Sequence, residues 1–108
     1  MNKYQTKAKK FANYPIIGNT PLVYLGWGIA GEAGEVVDKI KKIYRDKNGV
    51  LGIEEKADLL KELGDVLWYV SEIARSLDAT LQDVADLNID KLEDRYQRGT
   101  LGGSGDNR

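Results

Sequence analysis

Four acidic side chains carry the chemistry this sequence is equipped to do. Glu32-Ala33-Gly34-Glu35-Val36-Val37 is echoed thirty residues later by Glu62-Leu63-Gly64-Asp65-Val66-Leu67. Residues three apart on a helix are neighbours on one face, so each copy presents two carboxylates side by side. A helical projection puts Glu62 at the edge of an apolar stripe, beside Ile73, and away from the middle of the polar face. Two antiparallel helices would then turn Glu32, Glu35, Glu62 and Asp65 toward one another at the rim of a core. Acids held that close repel, and a divalent cation converts the repulsion into coordination. Gly26, Gly28, Gly31, Gly34 and Gly64 interrupt the same helices, each at about 0.5–1 kcal/mol relative to Ala. Glycine lets two backbones approach, which brings short carboxylates within reach of a shared ion. Acid pairs at this spacing also occur on solvated faces with no ligand, and residue types alone leave both readings open.

The residues that are missing narrow the chemistry further. The 108 residues include no His and no Cys. This excludes a Ser-His-Asp triad, an imidazole base, a thiolate nucleophile, disulfides and Cys-rich metal sites. Any metal must be a hard cation held by oxygen, magnesium first and manganese as a substitute. Lys and Arg number 16 against 17 Asp and Glu, for a net charge of −1. Nothing in that balance argues for nucleic acid as a partner, and any anion site must be a local patch. No apolar run approaches the ~18 residues of a membrane span. The polar start Met1-Asn2-Lys3-Tyr4-Gln5 lacks the apolar segment of a signal peptide, so a cytoplasmic location is expected.

The elements that position the acids are all helical. Tyr4 to Asn13 suits a short helix, and Tyr14 to Thr20, with Pro15, Gly18 and Asn19, reads as a loop. Thr20-Pro21 opens a long helix that runs to about Lys47, with a capping hydroxyl followed by Pro at the first helical position. Its stripe is Leu25, Ile29, Val36, Ile40 and Ile43. Asn48-Gly49 follows its basic last turn. A second long helix spans roughly Ile53 to Leu77, striped by Leu59, Leu63, Val66, Leu67, Val70, Ile73, Ala74 and Leu77. Asp78-Ala79-Thr80 breaks it, and Thr80 with Asp83 forms a capping box for a third that ends near Gln97, before Gly99. No convincing strand is found. The expected fold is an all-α antiparallel bundle of three long helices and a short N-terminal one. It forms one domain over residues 1–100, with a tail over 101–108.

The chain resembles the MazG-like family of nucleoside triphosphate pyrophosphohydrolases, in the all-α superfamily that also holds the dimeric dUTPases. The resemblance rests on the E-x-x-E…E-x-x-D pattern of Glu32, Glu35, Glu62 and Asp65. Tyr4-Gln5, Gly31-Glu32-Ala33-Gly34-Glu35-Val36, Lys41-Lys42 and Gly64-Asp65-Val66-Leu67-Trp68-Tyr69 add to it. So do Asn88, Lys91-Leu92, Arg95-Tyr96 and Gly99. Relatives often place Pro after the Arg-Tyr pair, where this chain has Gln97. The resemblance implies that the four acids are the catalytic and metal-binding set. It implies magnesium-dependent hydrolysis of a nucleoside triphosphate at the α-phosphorus, giving the monophosphate and pyrophosphate. The superfamily alternatives are a dUTP/dCTP-type or phosphoribosyl-ATP-type pyrophosphohydrolase. From another class comes a non-catalytic helical module that binds nucleotide or protein.

A triphosphate needs cations besides the metal. Asn88, Lys91 and Arg95 share one face of the last helix, and the resemblance implies that they contact substrate. Asn88 falls inside an apolar stripe, where an unpaired amide would cost about 1–3 kcal/mol. A cap or an interhelical bond would satisfy it equally well. Trp27, Trp68, Tyr24, Tyr69 and Tyr96 are candidates for a base-binding wall and equally for core. The lysines at 39, 41, 42 and 47 read as a solvated helix end that complements its dipole. The Gly- and Ser-rich tail, which also resembles family endings, is expected to be mobile by composition. Trp68, Leu87 and Ile89 find no intrachain partner on the wheel, and such faces mark interfaces. A homodimer or tetramer is therefore expected.

Overall fold

The computed structural model describes residues 3–108. Its elements are α1 (Lys3–Ala8), a 3₁₀ turn (Lys9–Phe11), α2 (Leu22–Lys47), α3 (Ile53–Ser76) and α4 (Leu81–Arg98). Among the described residues there is no strand, only an isolated bridge between Ile17 and Thr20. The all-helical class is as expected. The short first helix tightens into the 3₁₀ turn and stops before Ala12.

Local chemistry sets the ends. The Thr20 hydroxyl accepts from the Leu22 N–H at 3.1 Å, and Pro21 already has helical angles. Asn48 at the end of α2 is left-handed, and the Gly49 N–H donates back to the Ile43 carbonyl at 3.1 Å. The capping box at α4 is complete. The Thr80 hydroxyl accepts from the Asp83 N–H at 3.0 Å, and the Asp83 carboxylate accepts from the Thr80 N–H at 2.9 Å. Gly99 takes the left-handed conformation that closes α4.

α2 and α3 form an antiparallel hairpin. As the chain rises through Gly28, Lys39 and Lys47 on α2, the residues met on α3 descend through Tyr69, Glu62 and Glu55. This register faces the two acid motifs toward each other. Gly28 seats the Tyr69 ring, since a Cβ there would land inside it. The other helical glycines do not act as expected. Gly26, Gly31, Gly34 and Gly64 have open space where a Cβ would stand. The acids therefore meet through the register of the hairpin and not through glycines at the motif. Gly28→Ala is expected to destabilise the fold by about 1–3 kcal/mol through overpacking. Gly34→Ala, unobstructed, should be neutral or stabilising by up to about 1 kcal/mol. Urea denaturation of the two variants measures the contrast.

The core of one chain is thin. Among the described residues the buried apolar ones are Ala8, Leu25, Ile43 and Ala74. Gln5 is buried beside them. Its side chain donates to the Ser71 and Ala79 carbonyls and accepts from the Leu81 N–H, which ties α1 to the α3–α4 turn. Much of the predicted stripes on α2 and α3 is uncovered, with Ile40, Leu63 and Leu67 exposed, and Leu92 on α4 is exposed as well. α4 touches α3 only sparsely. The radius of gyration is 16.8 Å, against about 13 Å for a compact domain of this length. Antiparallel packing thus holds for α2 and α3, while α4 diverges from the hairpin.

Trp68 corrects an expectation. It has intrachain partners: its indole N–H donates to the Ala8 carbonyl at 3.2 Å, and its ring meets Tyr14 and Tyr69 edge-on. With Tyr24 stacked on Tyr14, these rings join α1, the 12–20 loop and the hairpin. No helix among the described residues is long and apolar enough to cross a membrane.

Candidate metal centre

Glu32 from α2 and Glu62 and Asp65 from α3 converge, each placing a carboxylate oxygen within 4.8 Å of the others. Glu32 and Glu62 are half-buried, and Asp65 is exposed. The i, i+3 spacing puts Glu62 and Asp65 on one face of α3, and the hairpin register brings Glu32 opposite. Oxygens about 2.0–2.1 Å from one magnesium ion lie up to about 4.2 Å apart, so sub-ångström side-chain shifts would close the set. Three separate carboxylates, in a chain with no His or Cys to add a softer ligand, fit a hard divalent cation.

The electrostatics agree with that fit. Burial pushes the Glu32 carboxyl above the usual carboxylate range, and the charges of Asp65, Glu62 and Glu35 push the same way. A raised carboxyl binds more protons folded than unfolded. Metal-free, the Glu32 carboxyl therefore opposes folding increasingly as pH rises through the ordinary Glu range, and acid relieves it. The Tyr4 and Tyr69 hydroxyls are also pushed up, first by burial and then by neighbouring charges that include Asp65. Phenols thus flank the acids.

Glu35 is not part of the converging trio. It is exposed on α2, near enough to act on Glu32 through its charge. Lys39, expected to belong to a solvated helix end, instead faces the acids. Its Nζ lies 3.7 Å from Glu62 Oε1, where it offsets part of the cluster's charge. The signal was available, because Lys39 follows Glu32 at i+7 on the same helix face. The neighbouring lysines do behave as solvated charges. Lys41 and Lys42 both pair with Asp38, and Lys47 pairs with Glu55.

The α4 residues divide. Asn88 is exposed, so its amide carries no burial penalty; the expected apolar surroundings are missing because α4 stands apart from the hairpin. Lys91 Nζ lies 3.0 Å from Asp106 Oδ1. The Arg95 side chain is only 5% exposed and is held by the segment that follows α4. That segment, expected to be mobile, folds back as a series of turns and lies against the basic face of α4. Of the candidate base-binding rings, Tyr24, Trp68 and Tyr69 belong to the aromatic cluster, while Trp27 and Tyr96 are exposed.

Sequence reasoning passed over a second buried network. Glu72 is fully buried, accepts from the Tyr14 hydroxyl at 2.8 Å, and is held by both Nε and Nη2 of Arg75. Burial and this bond to Glu72 push the Tyr14 hydroxyl up. Glu72 follows Asp65 by two turns of α3, on the side facing the 12–20 loop. It ties that loop to the helix carrying the acids.

Comparison with known proteins agrees with the geometry. The chain is similar to the Gene 37 protein of Mycobacterium phage L5, at 48% identity over 109 residues, covering 97% of this chain and 96% of that protein. No solved structure matches it. The model of the MazG nucleotide pyrophosphohydrolase domain matches residues 23–100, the stretch holding all four acids and the basic face of α4. The chain belongs to the MazG nucleotide pyrophosphohydrolase family.

Proposed function

We propose that this protein is a magnesium-dependent nucleoside triphosphate pyrophosphohydrolase, cleaving at the α-phosphorus to give a nucleoside monophosphate and pyrophosphate. The convergence of Glu32, Glu62 and Asp65, in a chain of this family, is the observation that carries the reading. A divalent cation held there would supply Lewis-acid activation of water and neutralise phosphate charge. Glu32, Glu62 and Asp65 would be its ligands, set opposite one another by the helix hairpin. Glu35, exposed and outside the trio, is the acid free to take a proton from the attacking water. Lys39, 3.7 Å from Glu62, offsets part of the cluster's charge and would be available to phosphate were a cation to take over that role. Lys91 and Arg95 of α4 bind the phosphate chain.

The test is pyrophosphate release from a panel of nucleoside and deoxynucleoside triphosphates with magnesium. Turnover of one or more supports the reading. No turnover of any at micromolar enzyme leaves a nucleotide- or protein-binding module.

We further propose that the working form is at least a homodimer, with the sites near the junction of the copies. The divergence of α4 and the apolar side chains it exposes, Leu87 and Ile89 among them, support this. α4 must close on an acid cluster for its cations to reach a bound triphosphate. Light scattering at micromolar concentration should give at least twice the 12.0 kDa of one chain. A monomer under those conditions contradicts it.

A further inference from the structure

The seat that Lys91 and Arg95 would offer to phosphate is filled by the chain itself. Asp106 Oδ1 lies 3.0 Å from Lys91 Nζ and 3.3 Å from Arg95 Nη2. Arg95 Nη2 also donates to the Asp106 carbonyl at 2.9 Å and to the Gly105 carbonyl at 3.5 Å. The segment is shaped to deliver that carboxylate. Gly103 and Gly105 turn at φ +91° and +84°, which glycine adopts without strain. Arg108 then buckles the loop, donating to the Leu101 and Gly105 carbonyls. Arg95 Nε is buried with no hydrogen-bond partner, so the guanidinium keeps a donor that the segment does not satisfy.

We propose that residues 101–108 form a displaceable strap, whose Asp106 carboxylate stands in for a phosphate on Lys91 and Arg95 and yields to the phosphate chain of a nucleotide. The proposal rests on the reading that these two cations bind phosphate.

The two sets of contacts to Arg95 have different consequences. The Gly105 and Asp106 carbonyls steer the guanidinium whatever charge residue 106 carries. The carboxylate is replaceable: its side chain is 82% exposed, and its pair with Lys91 lies at the surface, where ion pairs contribute little net. Tethering sets its strength as a competitor, because a group on a short flexible segment acts at an effective concentration in about the millimolar range. A triphosphate brings more charge and more acceptor oxygens to the same donors and fills the unused one. The strap therefore screens the seat from weak monoanions and yields to polyanions.

Inorganic tripolyphosphate, titrated calorimetrically into the metal-free full chain at low salt, tests this without turnover. Asp106→Asn keeps the shape and the backbone contacts and removes the competing charge. It should tighten tripolyphosphate binding about three- to tenfold, as expected for releasing a seat occupied most of the time. Asp106→Ala should shift affinity in the same direction, and Lys91→Met should weaken binding in both the parent and the Asp106→Asn background. Unchanged or weaker binding by Asp106→Asn, with Lys91→Met still weakening, overturns the strap and leaves the phosphate role of α4 standing. Affinity indifferent to Lys91→Met, or no binding by any of the chains, overturns both.

Discussion

Glu62→Gln is expected to remove most of the turnover, about a hundredfold or more, and most of the stabilisation by magnesium, without lowering the melting temperature of the metal-free protein. The turnover figure is the scale of deleting one preorganised electrostatic group from an active site. The stability argument runs through repulsion. Glu32, Glu62 and Asp65 place oxygens within 4.8 Å of one another, with one lysine, Lys39, as counter-charge at 3.7 Å. Removing one charge relieves the cluster, while the loss of the Lys39 pair offsets part of that gain. Magnesium should stabilise the parent by about 2.7 kcal/mol at a hundredfold excess over its dissociation constant. The variant should keep only a fraction of this. Acid should act on the parent as the substitution does. Because the Glu32 carboxyl is raised, metal-free stability from this site should grow as pH falls from neutral into the ordinary Glu range, and this gain should shrink in Glu62→Gln. Thermal melts across pH, with and without magnesium, read all of this. If magnesium barely moves either melt and the variant stays active, the three acids are surface charges and the metal assignment is wrong.

The largest loss of stability should follow Arg75→Met. Glu72 is fully buried, and Arg75 is its cationic partner through two bonds. Uncovering a buried charge costs about 3–5 kcal/mol, and because the Arg75 side chain is itself 38% exposed we expect the low end, about 3 kcal/mol. Domains of this size have about 5–15 kcal/mol in total and lose about 4–8 °C per kcal/mol. A fall of about 15 °C is therefore expected. Glu72→Gln keeps an acceptor for the Tyr14 hydroxyl and should be milder. Adding it to Arg75→Met should recover part of the loss, because the orphaned charge is then gone. A double variant as unstable as Arg75→Met would mean that Arg75 matters through packing and not through its charge.

What the sequence made legible is local. The cap at Thr80, the left-handed exit at Gly99 and the Asn48-Gly49 stop are each set by residues within a few positions, and all appear where their chemistry places them. The acid motif was legible for the same reason, since i, i+3 spacing decides a shared helix face before any packing. What failed depended on distant contacts. Trp68 is satisfied by a carbonyl sixty positions away on α1 and by the Tyr14 ring of the 12–20 loop, which no helical projection contains. Gly34 and Gly64 recur in a suggestive place, yet the close approach is made at Gly28, where the partner is the Tyr69 ring. The projection sets Asn88 inside an apolar stripe and assumes that such a stripe is covered, whereas α4 is not packed down in a single chain and Asn88 is exposed. The seating of Asp106 depends on glycine turns and a buckling arginine that composition reads only as flexibility.

Hydrolysis in ¹⁸O-enriched water with magnesium and a turned-over nucleoside triphosphate tests the central claim most directly. Attack at the α-phosphorus, supported by Glu32, Glu62 and Asp65, places the label in the nucleoside monophosphate and none in the pyrophosphate, and chelation of the metal stops the reaction. Label in the pyrophosphate, a nucleoside diphosphate with labelled inorganic phosphate, or turnover that survives chelation would contradict it.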